Sequence, residues 1–187
     1  MDPRLNATLC QIERLTKGMM EFWSNSDGWA PQEAADLLNR SMLHWQVSLV
    51  QSLRRWCDAE SEGDLILAWA NLGALVEGQM RLFLSAYYRT YVDDIEVIRR
   101  RGEVVDPDEC RLEDLRQFFI NRIWIRRRNF NDYVQLVQQR RNAIHAFRRR
   151  DIGSFDEWKL LPPTHLEFVH DINDRLPYPD DELYKPR

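Results

Sequence analysis

The sequence predicts an all-α protein, and two observations lead to that prediction. Only 7 of its 187 residues are glycine, which is few for the many tight turns of a β-sheet protein. Apolar residues recur at three- and four-residue spacing through most of the chain, which is the period of an amphipathic α-helix. At this length we expect one domain over residues 1–187, built from about five to six helices.

Two helices are predicted in the first third of the chain. Asp2 can cap the first helix and Pro3 suits its first position, because the ring presets φ, so an N-terminal helix is expected within residues 1–27. A second helix is predicted from Pro31 to about Asp58 by its apolar spacing. The tryptophans of that second helix are expected to lie in the core.

The most apolar segment runs from Leu65 to Tyr91, and its apolar residues cover most of the circumference of a helix. A helix that is apolar nearly all round belongs at the centre of a protein. Glu77 is the exception within it, and a carboxylate in such surroundings needs a partner, for which an arginine is the best candidate. The alternative is that Glu77 lies on a narrow exposed strip.

A polar connection over residues 99–111 precedes a short fourth helix over 112–123, and residues 126–130 are expected to break the chain before a further helix. In that later helix one row is predicted to face the core: Tyr133, Val137, Arg140, Ile144 and Phe147. The adjacent row is predicted to face solvent or a partner: Val134, Gln138, Arg141, His145 and Arg148.

The C-terminal part of the chain contains strong stop and start signals. Residues 151–154 should end the preceding helix, and 161–163, with two prolines, should form a rigid connector. Thr164 with Glu167 three residues later predicts a capping box for a last helix ending near Leu176. The core bundle is thus expected over 31–176, followed by an acidic, proline-rich tail over 177–187 that is ordered only if it docks.

Several classes of protein are disfavoured by composition. The N-terminus lacks the basic and apolar regions of a secretory signal, and no uncharged apolar run reaches the ~18 residues of a membrane span, so we expect a cytoplasmic protein without a membrane partner. The three cysteines lack paired metal-ligand spacing and are interpreted as buried free thiols. His165 and His170 lack a second ligand pair, so no metal or other cofactor is expected.

Charge is unevenly distributed along the chain. The net charge is −4, but residues 99–150 carry 14 arginines and 7 acidic residues, a net +7, which leaves −11 for the rest. This basic segment includes three arginine triplets, and solvated helix ends could explain any one of them. Together they indicate a positive field suited to an anionic polymer. Two of them are the predicted RNA-binding residues: Arg126, Arg127, Arg128, Arg148, Arg149 and Arg150.

One short motif within the basic segment has residues suited to chemistry: Arg140, Arg141, Asn142 and His145. If the segment is helical, Arg141 and His145 are four residues apart and lie on one face. A guanidinium holds a phosphate and an imidazole moves a proton near neutral pH, so this pairing indicates cleavage or binding of RNA. The alternative interpretation is a polar helix face that covers the core, with His145 hydrogen-bonded and inert.

The motif resembles the signature of the HEPN superfamily: Arg140, four intervening residues, His145, then Ala146 and the aromatic Phe147. HEPN families are all-helical ribonucleases that include toxin–antitoxin nucleases, abortive-infection proteins and the nuclease domains of RNA-targeting CRISPR effectors. The resemblance covers roughly residues 31–176 and implies a HEPN-like bundle around a long, nearly all-apolar central helix. The family's spacing favours Arg140 as the functional arginine.

Other features favour Arg141, so both arginines remain candidates. The family's commonest form places a polar residue directly after the arginine, and here Asn142 follows Arg141. Helical geometry also makes Arg141 the neighbour of His145.

The resemblance also implies a reaction. The protein would be a metal-independent endoribonuclease in which His145 transfers protons, an arginine neutralises the pentavalent phosphate and Asn142 orients the histidine or the ribose. Cleavage would leave a 2′,3′-cyclic phosphate. One histidine is scant for two proton transfers, and HEPN proteins pair as dimers that join two motifs, so a homodimer acting on RNA is expected. A bacterial defence or toxin–antitoxin setting would add a cognate antitoxin or defence-system subunit.

Two other classes of function fit the same residues. The chain could be a non-catalytic helical module that binds RNA, a nucleotide or a partner protein in a multi-component system. It could also be an oligomerising scaffold whose acidic remainder meets its own basic segment. The RNA target, the activating trigger and the existence of a partner subunit are not encoded in any recognisable pattern.

Overall fold

Helices make up most of the chain, which confirms the all-α prediction. The computed structural model describes residues 2–125, 128–145 and 149–187, with Arg128 and Asp181 described by their backbone alone. In chain order the α-helices are α1 (Pro3–Trp23), α2 (Gln32–Arg40), α3 (Leu43–Ser52), α4 (Glu62–Ala86), α5 (Tyr88–Val92), α6 (Leu112–Arg122), α7 (Arg128–Arg141), α8 (Phe155–Lys159), α9 (Leu161–Arg175) and α10 (Asp181–Tyr184). Further 3₁₀ turns span Leu53–Asp58, Pro107–Glu109 and Asn142–His145.

The start of α1 follows the predicted capping. The Asp2 carboxylate accepts a hydrogen bond of 2.9 Å from the Arg4 backbone N–H, and Pro3 occupies the first turn. Such a cap satisfies one of the N–H groups that the first turn leaves free. The helix then ends at Trp23, close to the predicted turn.

The long helix predicted from Pro31 to Asp58 is wrong, because the chain breaks at Ser41. The backbone of Ser41 is extended, with φ −80° and ψ 136°, and α3 begins two residues later. Leu38 and Leu43 are both buried. In one continuous helix these side chains would point about 140° apart, at roughly 100° per residue. The break lets both of them reach the core.

A second correction concerns the tryptophans of that region, which were expected in the core. Trp45 on α3 is 60% exposed, and Trp56 is only partly buried. Apolar spacing does not distinguish a core face from an apolar rim of a cleft, because both show the same period.

The longest of these helices, α4, begins with its own cap and packs on several others. The Ser61 hydroxyl accepts a hydrogen bond from the Asp64 N–H at 3.1 Å. Fifteen of the 25 residues of α4 are buried, and the helix contacts α2, α3, α6, α7 and α9. Tyr87, with φ −101° and ψ 29°, interrupts the helix that was predicted to continue to Tyr91, and the short α5 follows.

A small hairpin lies within the polar connection. Strands β1 (Arg99–Arg100) and β2 (Glu103–Val104) pair antiparallel. Their two-residue turn has positive φ at both positions, 56° at Arg101 and 91° at Gly102. Such a turn matches the twist of a β-hairpin, although an arginine adopts this conformation less readily than glycine or asparagine.

Aromatic rings hold α7 and α9 to the end of α6. Trp124 lies 4.9 Å from Phe119 and 6.0 Å from Phe130, measured between ring centroids. The same cluster continues through Phe168 to Tyr133, at 5.7 Å. Aromatic pairs at these distances stabilise by roughly 0.5–1.5 kcal/mol beyond the area they bury. This cluster fixes the position of α7 and therefore of the motif at its end.

His165 of α9 lies inside this aromatic cluster. It is fully buried, and its Nδ1 shares a hydrogen bond of 2.8 Å with the Tyr133 hydroxyl. Burial lowers the pKa of His165 to about 3, so the imidazole is neutral in the native protein at neutral pH.

The C-terminal elements differ from the prediction at two points. The short α8 was not predicted, and it begins with a capping box in which Ser154 and Glu157 exchange hydrogen bonds. Pro162 and Pro163 were expected in a connector before a capping box at Thr164, but α9 begins at Leu161 and takes both prolines into its first turn. The predicted capping box is therefore wrong, because Thr164 lies inside the helix. Backbone N–H groups in the first turn of a helix have no partner within the helix. A proline there loses no helical hydrogen bond, so its ring is tolerated.

The tail docks on the bundle. The buried Tyr178 hydroxyl donates to Asn173 Oδ1 at 2.8 Å, and Asn173 Nδ2 donates to the Pro186 carbonyl at 2.9 Å. Gly18 makes room on α1, since a Cβ there would lie 2.8 Å from the Pro186 ring. We expected the tail to be ordered only if it docks on the bundle, and these contacts show that it does.

Candidate functional site

The arginine–histidine motif lies where α7 changes into a 3₁₀ turn. The α-helix ends at Arg141, and Asn142–His145 continues as 3₁₀. A 3₁₀ helix turns about 120° per residue rather than about 100°, so the predicted rows lose their register here. Ile144 in this turn, predicted to be inward, is 44% exposed. Val134, predicted to be outward, is fully buried within the α-helical part of α7, so the buried face of α7 also differs from the predicted one before the turn. Phe147 and Arg148 lie outside the described residues.

Arg141 crosses to α4. Its Nη1 donates to the Gly73 carbonyl at 3.3 Å and forms an ion pair with the Glu77 carboxylate. The approach is possible because residue 73 has no side chain, and a Cβ there would lie 3.1 Å from the Arg141 Cβ and closer still to its Cδ. The motif arginine is thus fixed by the helix that contains Glu77.

Glu77 forms ion pairs with two guanidinium groups. This agrees with the prediction that its carboxylate needs an arginine partner. Its second partner is Arg81, one turn later on α4, which also donates to the Cys110 carbonyl from Nε at 3.1 Å and from Nη2 at 2.6 Å. The Glu77 side chain is only 13% exposed. One carboxylate against two guanidinium groups leaves this cluster with a net charge of +1.

Arg140 is directed to a different part of the molecule. It pairs with Asp151 and lies 3.9 Å from Glu157 Oε2, with its side chain 13% exposed. The N–H of Gly153 donates a hydrogen bond to the Asp151 carboxylate. This bond is the main cause, and the hydrogen bond from Arg140 the second, of a lowered pKa of the Asp151 carboxyl. Arg140 therefore fastens α7 to the segment before α8, while Arg141 is held at α4.

His145 is exposed at the last position of the 3₁₀ turn. Among the described residues, no hydrogen bond or ion pair joins it to Arg140, Arg141 or the partly buried Asn142. An exposed imidazole is accessible to a ligand or to a second molecule. In a single copy the imidazole is therefore not hydrogen-bonded to the guanidinium of Arg140 or Arg141.

The arginine triplets are described only in part. Arg126, Arg127 and Arg148 lie outside the described residues, and the side chain of Arg128 does so too. Arg149 and Arg150 are exposed and follow the motif closely in the chain.

Beside Arg141, a cleft of about 460 Å³ opens between α4 and the α2–α3 pair. Arg81, Glu77 and Arg141 form its polar wall, and Trp45 lies at its rim. Sequence patterns did not identify Trp45 or Arg81 as site residues. For Arg81 the sequence held one signal, its position four residues after Glu77. Side chains at that spacing meet on the surface of a helix.

A second ion pair, between Arg40 and Asp108, also lines the cleft. Arg40 Nη2 lies 2.6 Å from Asp106 Oδ2, and Arg40 Nε lies 2.9 Å from Asp108 Oδ2. Hydrogen bonds to Asp108 and then Asp106 raise the pKa of Arg40. Asp106 is not among the residues that line the cleft, so the lining pair of Arg40 and Asp108 is neutral.

Three comparisons with known proteins gave no match for this chain. No protein-family model, no curated protein and no solved structure matches it. Within the described ranges, no group of three or more His, Cys, Asp or Glu side chains is placed to hold a metal ion. No helix in this described part of the chain is long and apolar enough to cross a membrane.

Proposed function

We propose that the protein is a metal-independent endoribonuclease of the HEPN type, acting as a homodimer at a composite site. One observation carries the proposal: Arg141 is held in place by Glu77 at the edge of a cleft, four residues before the exposed His145. A fixed guanidinium and an accessible imidazole are the two groups that phosphodiester transfer needs.

In the proposed reaction the ribose 2′-hydroxyl attacks the adjacent phosphorus and the 5′-oxygen leaves. His145 of one copy accepts the 2′-hydroxyl proton, and His145 of the second copy donates a proton to the leaving 5′-oxygen. The products are a 2′,3′-cyclic phosphate and a 5′-hydroxyl. Arg141 stabilises the charge of the pentavalent phosphate, and Asn142 orients the imidazole or the ribose.

The two arginines receive different roles in this proposal. Arg141 is the functional one because it lines the cleft, and its Nε and Nη2 make no hydrogen bond to the described residues. Arg140 is structural because Asp151 and Glu157 hold it. Arg149 and Arg150 would attract the RNA backbone through their charge, together with the other predicted arginines.

The remaining parts of the proposal follow from the resemblance. They are a HEPN-like helical bundle centred on the mostly buried α4, a cytoplasmic setting in bacterial defence or toxin–antitoxin function, and a cognate antitoxin or defence-system subunit as a further partner.

The test is cleavage of total RNA or tRNA in the presence of EDTA by wild type, His145→Ala and His170→Ala. His170 is exposed on α9 and serves as a matched control. We expect the wild type and the control to cleave, His145→Ala to lose cleavage, and the products to carry a cyclic phosphate. Equal cleavage by wild type and His145→Ala, or cleavage by none of the three, contradicts the proposal.

A second candidate is a non-catalytic RNA-binding or nucleotide-binding module. The observation that favours it is that both motif arginines already have carboxylate partners. It predicts salt-sensitive RNA binding without turnover. The exposed Arg149 and Arg150 are the sites for a test by charge reversal, because reversing Arg141 would place a second carboxylate beside Glu77 and disturb the fold.

A further inference from the structure

The cleft between α4 and α3 has the volume and the lining of a ligand pocket. Its volume of about 460 Å³ falls within the range of roughly 300–1,000 Å³ typical of small-molecule sites. Apolar side chains, including Leu43 and Leu49, form much of its wall, and a few polar groups converge on it. Such a combination favours a ligand that has both a flat apolar part and a charged part.

Hydrogen-bond donors for an anion remain available in the cleft. Arg81 uses Nε and Nη2 for Cys110 and Glu77, and its Nη1 makes no bond to any described residue. Arg141 uses only Nη1, which leaves Nε and Nη2. Because the two guanidinium groups share one carboxylate, an incoming phosphate would complete the charge balance of this cluster.

A planar surface and an acceptor lie in the same cleft. Trp45 is 60% exposed at the rim, and an exposed indole face is a platform for a nucleobase. Next to it, Gln46 donates from Nε2 to the Ala74 carbonyl at 3.4 Å, while its Oε1 is buried without a hydrogen-bond partner. A buried acceptor without a partner is costly unless a ligand supplies a donor, and a base amino group is such a donor.

Gly78 on α4 allows this arrangement. A Cβ at that position would overlap the amide group of Gln46. Two glycines of α4 thus admit two different polar groups, Gln46 at Gly78 and Arg141 at Gly73.

We infer that this cleft binds a nucleotide unit, with its phosphate on Arg81 and Arg141 and its base stacked on Trp45. The nucleotide is either free or one unit of an RNA chain. Where it belongs to RNA, the inference rests on the proposed ribonuclease and adds a subsite for the nucleotide beside the cleaved linkage. Binding to the cleft is measured without cleavage, so the two claims are tested separately.

The experiment is titration calorimetry of the full chain with AMP, adenosine and inorganic phosphate. Wild type binds AMP more tightly than either part alone. Trp45→Ala weakens AMP binding at least roughly tenfold and leaves phosphate binding unchanged, while Trp45→Phe retains most of the affinity. Arg81→Gln weakens both AMP and phosphate. Leu160→Ala, an exposed truncation on another surface, is the control and behaves as wild type.

A 2′-O-methylated RNA pentamer distinguishes the two sources of the nucleotide, because it lacks the 2′-hydroxyl and resists the proposed reaction. Tighter binding of the pentamer than of AMP, with loss on Trp45→Ala, assigns the cleft to RNA. Equal affinities assign it to a free nucleotide. Failure of the wild type to bind either ligand, or unchanged binding by Trp45→Ala, overturns the inference.

The two claims fail in different ways. If His145→Ala cleaves RNA as wild type does, but Trp45→Ala loses nucleotide binding, the ribonuclease proposal fails and the nucleotide cleft stands. If His145→Ala loses cleavage and Trp45→Ala binds both ligands normally, the cleft inference fails and the ribonuclease stands.

Discussion

Arg141 of α7 and Glu77 of α4 form an ion pair between two helices, 64 residues apart in sequence. The pair joins the arginine–histidine motif to the helix that forms one wall of the cleft. Arg81 extends it to the Cys110 carbonyl at the start of α6. The position of Arg141 within the motif therefore depends on Glu77, which makes this carboxylate the most informative residue to change.

Glu77→Gln should destabilise the protein and impair the function of the motif. The substitution removes the charge shared by two guanidinium groups that are about one-quarter to one-third exposed, so we expect a loss of about 1–3 kcal/mol in the free energy of unfolding. Urea denaturation measures it. Glu33→Gln breaks an exposed pair with Arg89 and should change stability little. Equal effects of the two substitutions would contradict the role given to Glu77.

Gly73→Ala should displace Arg141 and lower RNA cleavage if the ribonuclease proposal is right. The new methyl group would overlap the Arg141 side chain, and overpacking of this kind costs about 1–3 kcal/mol. The matched control is Gly63→Ala, at an exposed helix position where the nearest atom to a Cβ is Ser61 Oγ at 3.8 Å.

We expect Gly63→Ala to be neutral or to stabilise by at most about 1 kcal/mol, because alanine is the better helix former. Thermal unfolding and RNA cleavage should be measured on both variants. If Gly73→Ala matches its control in both measurements, close packing at this glycine does not position the arginine.

Buried His165 should make the protein sensitive to acid. Its native pKa is about 3 and its unfolded pKa about 6.5, so between these values the unfolded chain binds the additional proton. The stability that neutral His165 contributes is complete above pH 6.5 and is lost as the pH falls towards 3. Between pH 7 and pH 4 this loss amounts to about 3 kcal/mol.

The measurement is the free energy of unfolding at pH 7 and pH 4 for wild type, His165→Gln and His170→Gln. Carboxylates contribute to acid sensitivity in all three proteins, so the difference between variants isolates the imidazole. We expect a flatter pH dependence for His165→Gln alone. Parallel curves for all three proteins would show that His165 is protonated as easily in the native state as in the unfolded chain.

The three cysteines should differ in reactivity. Cys10 is exposed, which differs from the buried thiols expected from sequence, whereas Cys57 and Cys110 are buried. Burial raises the pKa of the Cys57 thiol and raises that of Cys110 to about 11, and the thiolate is the reactive form. At pH 8 a disulfide reagent should therefore modify one thiol rapidly in the native protein and all three in denaturant. Rapid modification of three thiols without denaturant would contradict the burial of the other two.

Local signals in the sequence were sufficient for the start of α1 and for most of α4, but they missed the capped helix α8. Asp2 with Pro3 indicated the start of α1, and the apolar run indicated α4 but not its end at Ala86. The break at Ser41 was missed because two leucines five residues apart must both reach the core, which is a demand of the whole bundle. The 3₁₀ turn after Arg141 was missed for a similar reason, since helical spacing continues through it in the sequence.

The sequence predicted the motif residues of the candidate site but not how their side chains are arranged. Residue types alone indicated Arg140, Arg141 and His145, and the isolated Glu77 indicated an arginine partner. Sequence could not say that the adjacent arginines point to different partners, Asp151 and Glu77. Consecutive helix residues differ by about 100° in direction, so which neighbour each one reaches depends on the packing of α7.

By itself, the sequence determined the helical class of this protein, the start of α1 and the one motif suited to phosphate chemistry. Those properties depend on residues close together in the chain, through periodicity and capping. Only the tertiary structure decided that Glu77 joins two guanidinium groups, that Trp45 stays at the rim of a cleft and that His165 is buried neutral. Each of these depends on residues far apart in sequence, whose contacts exist only after the helices have packed.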